Sequence, residues 1–141
     1  MTAIPGRYSW TAALGLVLLL SACAPASPRE TPAPSEGIEV AGIIIRNGLA
    51  YSVYDVMVEA PVSGAFAGCG NVLPRTDCRT SFPARDYRKN PIVVNWVERG
   101  EPKNTDEIVV EVPDYAEPGD AFWLEVVIYA PGLAGAKLVR P

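Results

Sequence analysis

From residue 38 to the C-terminus the hydrophobic positions recur every second residue, the period of a β-strand, and no segment carries the 3.6-residue period of a helix. Residues 38 to 45 are rich in β-branched side chains and run into Asn47-Gly48, a strong turn dipeptide. In residues 51 to 60, Tyr54, Val56 and Val58 alternate with Asp55, Met57 and Glu59, which predicts a strand with one apolar face. Ile92, Val94 and Trp96 alternate with Val93, Asn95 and Val97. Ile108, Val110 and Val112 alternate with Glu107, Val109 and Glu111, the pattern of a half-buried strand. Phe122, Leu124, Val126 and Ile128 alternate with Trp123, Glu125, Val127 and Tyr129. Shorter strands are predicted around residues 65 to 68 and 78 to 82, with a last edge strand over 137 to 140.

Turn signals separate these segments: Ser63-Gly64, Cys69-Gly70-Asn71, Arg99-Gly100-Glu101-Pro102, Pro118-Gly119-Asp120 and Pro131-Gly132. Seven or eight short strands so punctuated predict an all-β fold, an immunoglobulin-like antiparallel β-sandwich. Trp96, in the middle of an apolar strand, is expected at the centre of its core.

The N-terminus follows a different pattern. Its first ten residues hold one cation, Arg7, and no acid; residues 11 to 20 are an unbroken apolar run, closed by Leu20-Ser21-Ala22-Cys23. That run is shorter than the roughly 20 residues a membrane span needs, so it reads as a signal peptide. The tetrapeptide resembles the lipobox of bacterial lipoproteins. The resemblance implies cleavage after residue 22, a diacylglyceryl thioether on Cys23, and anchorage in the cell envelope. Ala24 after the Cys implies the inner leaflet of the outer membrane, facing the periplasm. A plain secretory signal cut near Ala22-Cys23-Ala24 is the competing expectation. The domain's own pattern, from the β-rich segment before Asn47-Gly48 to the Pro-Gly turn of a C-terminal strand pair, resembles small immunoglobulin-like lipoprotein domains and carries no functional residue with it.

These boundaries divide the chain into a signal peptide (1–22), a lipidated Cys with a tether (23–37) and a β-sandwich domain (38–141). Residues 24 to 37 contain four prolines and no large apolar side chain. Such a stretch cannot bury enough surface to offset its ordering entropy, and fully extended it would reach about 43 Å.

With Cys23 assigned to lipid by the resemblance, Cys69 and Cys78 remain as a pair in an oxidising compartment, where a disulfide persists. A redox or zinc pair is the alternative; the spacing is not C-x-x-C, and the chain has no histidine to complete a zinc site.

The lack of histidine also excludes Ser-His-Asp and Cys-His catalysis and the usual near-neutral general base. The best acidic cluster is Asp114, Glu117 and Asp120, which reads either as a solvated turn or as a calcium or small-ligand site with paired-carboxylate chemistry. The expectation is a non-enzymatic protein with no cofactor and no metal.

Charge is the remaining signal. The chain is formally −4, against nucleic acid as a partner. Residues 75 to 89 hold Arg75, Arg79, Arg85, Arg88 and Lys89 against Asp77 and Asp86, whereas residues 98 to 125 hold nine acids against Arg99 and Lys103. The basic stretch reads either as solvated loop or as a contact for an anionic envelope surface, phospholipid headgroup or cell-wall polymer. Trp123, Val127 and Tyr129 share the outward side of their strand, a second candidate partner surface unless a loop or the residues from 133 to 139 cover it. Together these features predict an envelope lipoprotein that contacts a protein partner or cell-wall component.

Overall fold

The computed structural model of this chain describes residues 37–81 and 86–141. The signal segment, Cys23, most of the tether and Arg85 lie outside the described residues. Within them the chain forms no helix and nine strands: β1 (Ile38–Asn47), β2 (Val53–Ala60), β3 (Ala65–Val72), β4 (Asp77–Thr80), β5 (Asp86–Tyr87), β6 (Val93–Glu98), β7 (Glu101–Asn104), β8 (Ala121–Ala130) and β9 (Leu133–Val139). One sheet, here sheet A, runs β4-β1-β8-β9, with β5 also on β1; the other, sheet B, runs β3-β2-β6-β7. The strand ladders are antiparallel except β1 with β8, which run parallel at the centre of sheet A.

The two sheets close on one apolar layer, so the chain is a β-sandwich. Phe122, Leu124, Val126 and Ile128 of β8 and Val94 and Trp96 of β6 point into it, as their alternation predicts. Trp96 is only 2% exposed. Among the described residues the core side chains belong to residues 38–138.

Three register shifts interrupt the ladders, one of them at Tyr129 between Ile128 and Ala130, and the other two reset the alternation. In β1 the inward positions are Ile38 and Val40, then Ile43 and Ile45, because the register against β8 shifts between Val40 and Gly42. In β2, Asp55 sits at φ 50°, and the register shifts between Tyr54 and Met57. The inward residues are therefore Val53, Val56 and Val58, and Tyr54, expected inside, is exposed. An extra residue in one strand flips the faces on either side of it.

Asn47-Gly48 ends β1 in sheet A and begins the crossing to β2 in sheet B. Two further expectations are corrected. The turn expected over residues 99 to 102 is confined to Arg99 and Gly100, at φ 50° and 82°, and Glu101 already pairs with Glu98 in β7. Residues 107 to 112 keep their alternation but form no strand. Their one ladder contact is the bridge between Ile108 and Ile92. Beyond it, the Tyr87 hydroxyl accepts from the Val110 amide at 2.9 Å and donates to the Val110 carbonyl at 3.0 Å. A side chain thus supplies what a neighbouring strand would have supplied, and Val110 stays buried.

Candidate functional site

The outward side of sheet A carries the densest grouping of chemically capable side chains. The register sets Glu125 of β8 between Ile44 of β1 and Lys137 of β9, and Val127 between Arg46 and Gly135. Arg79 of β4 pairs with Ile44, one strand further out. The Glu125 side chain is only 10% exposed and is held on both oxygens, by Arg46 at 3.0 Å and Lys137 at 3.0 Å, while those two cations are 52% and 66% exposed. A nearly buried carboxylate is thus neutralised, and with Asp77 facing Arg79 at 3.5 Å and lying opposite Arg46 in the ladder, the accessible charge on this side is mixed.

Two aromatic rings mark the ends of this row. A Cβ on Gly42 would stand 2.8 Å and 3.0 Å from two atoms of the Trp123 ring, so that ring reaches across β1 over a position where only glycine fits. Laying an aromatic side chain across a cross-strand glycine covers backbone that the glycine leaves bare. A Cβ on Gly135 would make an ordinary contact, 3.6 Å, with the edge of the Tyr129 ring, which is otherwise exposed. The Arg79 guanidinium stands 5.9 Å from the Trp123 ring centre. Between the rings, Glu125, Val127, Gly135, Ala136 and Lys137 line a shallow groove of about 210 Å³. The C-terminal residues do not cover the face, because β9 pairs edge-on with β8.

The other predicted partner-surface residues are dispersed. Cys69 and Cys78 form a disulfide that links β3 to β4, the neighbouring edge strands of the two sheets. It does not gather the basic residues. Arg75 lies in the turn before β4, near Arg46, whereas Arg88 and Lys89 follow β5 near Ile38, about 26 Å away along β1. Arg88 is paired with Asp86 at 2.8 Å, and with Lys89 and Glu117 it rims a depression of about 390 Å³ at the Gly37 end. The acidic loop packs against this same end, since the Gly119 amide donates to the Gly37 carbonyl. Charges segregated in sequence therefore adjoin in space. Within that loop, Asp120 accepts from the Glu117 amide at 3.1 Å and faces Arg140 at 3.8 Å, while Asp114 is exposed. Among the described residues no three metal-capable side chains converge.

Two buried polar residues at one end of the sandwich, both bound to Tyr51, are not evident from the sequence pattern. The Asn47 side chain amide donates to the carbonyls of Tyr51, Val72 and Leu73 at 2.7, 3.0 and 3.1 Å, and its oxygen accepts from the Leu49 amide at 2.9 Å. It ties the β1–β2 crossing to the end of β3. Glu98, 4% exposed, accepts from the Tyr51 hydroxyl at 2.5 Å, the Gly132 amide at 2.9 Å and the Trp96 indole at 3.2 Å. Burial pushes its carboxyl up, but the donors from Tyr51, Gly132 and Trp96 outweigh that and hold its pKa below the usual value. The same bond, with burial, raises the Tyr51 hydroxyl. The Arg99 guanidinium lies 4.1 Å from the Tyr51 ring centre, closing this end. Parity along β6 could have found Glu98, two residues beyond Trp96. Nothing in sequence marks Asn47 as more than a turn residue. Both are fully engaged with the fold, so the outward side of sheet A remains the candidate site.

No protein-family model, no curated protein and no solved structure matches this chain.

Proposed function

We propose that this protein is a lipid-anchored, non-enzymatic binding module of the bacterial cell envelope. It meets a protein partner or cell-wall component through the outward side of sheet A. Cys23 carries the anchor, residues 24 to 37 hold the domain away from the bilayer, and the sandwich presents Trp123, Val127 and Tyr129 beside Arg79. The observation that carries this reading is the composition of that side: two aromatic residues beside a neutralised inner carboxylate and the exposed Arg79–Asp77 pair. Scattered apolar surface side chains need no explanation, whereas aromatic side chains grouped with arginine favour an interaction site.

Two experiments test the two halves. Replacing Cys23 with Ser blocks lipid labelling and leaves an uncleaved precursor; normal processing would identify an ordinary secretory signal. Trp123→Ala leaves the domain folded and abolishes co-purification with its partner, and retained co-purification would remove this face from the account.

A further inference from the structure

The free edge of β9 is a second surface, and what it meets does not depend on what the outward side of sheet A binds. Sheet A ends at β9, and among the described residues β9 pairs with β8 alone, so its backbone groups that point away from β8 face no further strand. Other strand edges in the sandwich are blunted. β7, the end of sheet B, is four residues long with Pro102 inside it, and β4 is four residues long and tied to β3 by the disulfide. β9 is seven residues long, holds no proline and carries one charge, Lys137. We infer that β9 pairs antiparallel with β9 of a second copy of this chain, about a two-fold axis that passes beside Ala136.

Side-chain register is what selects a second copy. Ala134, Ala136 and Leu138 of β9 lie opposite the inward Ile128, Val126 and Leu124, whereas Gly135, Lys137 and Val139 lie opposite the outward Val127, Glu125 and Trp123. An antiparallel pair centred on a residue keeps inward side chains with inward ones. Centred on Ala136, the pair sets Leu133 opposite Val139 of the second copy, Gly135 opposite Lys137, and Ala134 opposite Leu138. Leu133, which is 52% exposed, thereby gains an apolar neighbour. Each lysine faces a glycine that leaves it room, and its charge is already met at 3.0 Å by Glu125 of its own copy. Neighbouring registers lose this match. Centred on Lys137 the two lysines stand directly opposite each other, and centred on Gly135 an exposed leucine stands opposite a lysine. An unrelated extended segment would satisfy the backbone without matching the side chains position by position. The pair joins two copies of sheet A into one, β4-β1-β8-β9 continued by β9-β8-β1-β4, with both outward sides on the same face.

The test uses the full chain, purified in detergent and mildly oxidised. Residues directly opposite in an antiparallel pair have Cα atoms about 4.5 to 5.5 Å apart, within the range a disulfide spans. Ala136→Cys should therefore link to its own copy and give a reducible dimer well above that of the parent chain treated alike. Leu133→Cys and Val139→Cys should not self-link, since each stands about 20 Å along the strand from its own counterpart, but should link to each other when the two variants are mixed. Charge gives a second readout that needs no new cysteine. Gly135→Lys sets two lysine pairs opposite each other and should weaken dimerisation in sedimentation about tenfold, whereas Gly135→Glu sets two pairs of opposite charge and should strengthen it about fivefold. A Cβ at this position meets only the edge of the Tyr129 ring at an ordinary 3.6 Å, so both variants keep the fold. Self-linking of Ala136→Cys no higher than that of the parent or of Leu133→Cys would overturn the inference. So would equal dimerisation of the two Gly135 variants. In cells, an Ala136→Cys adduct with a different protein and none with its own copy would assign the edge to that protein and overturn the second copy.

Discussion

Two residues decide how firmly the sandwich is closed at the Tyr51 end. Asn47 spends its whole side chain on the backbone of three segments, so Asn47→Ala orphans a buried amide and withdraws a donor from three carbonyls. We expect a loss of about 3 kcal/mol in urea unfolding, large for a single side chain outside the apolar core. Glu98 makes a pH prediction. Its folded pKa lies below the usual 4.5, so it stabilises the fold above that value and the contribution is lost as pH falls through the lowered pKa. Urea midpoints measured from pH 7 to pH 3 should fall less steeply in Glu98→Gln than in the parent, and identical slopes would show that this carboxylate is not the linked group.

At the scale of elements, strand existence was legible wherever alternation was long. β8 reads directly from its four inward apolar residues, and Trp96 was found where β6 places it. Phase was not legible where a bulge intervened, since Asp55 in a left-handed conformation reverses which side of β2 faces the core and nothing in its neighbours requires it. The alternating residues 107 to 112 bury as a strand would, but lack a ladder because Tyr87 takes the place of a partner strand. Tyr87→Phe removes both hydrogen bonds and should cost about 1 to 2 kcal/mol, with faster amide exchange concentrated in residues 105 to 112. Exchange spread evenly over the domain would contradict that local role. The Cys69–Cys78 bridge joins the sheets across a short loop, and reducing it should lower unfolding stability by about 2.7 kcal/mol on the loop-entropy model.

At the scale of the molecule, the outward side of sheet A combines two signals that sequence kept apart. Trp123 and Tyr129 were recognisable from alternation in one strand. Arg79 is recognisable in sequence only as one of five basic residues in another segment, and nothing in their neighbours singles out Arg46 and Lys137. They meet because β1 runs parallel to β8 between β4 and β9, a strand order that no local pattern encodes. The remaining basic residues lie elsewhere, beside the acids of the 113–120 loop or in the turn before β4, and the surface charge there is mixed. What distinguishes the candidate face is therefore the strand order.

The most direct measurement is site-specific photo-crosslinking in living cells, with the reactive side chain placed at Val127 on the outward side of sheet A and, for comparison, at Glu59 on sheet B. The account predicts partner adducts from position 127 and none from position 59. Adducts from position 59 alone would contradict it.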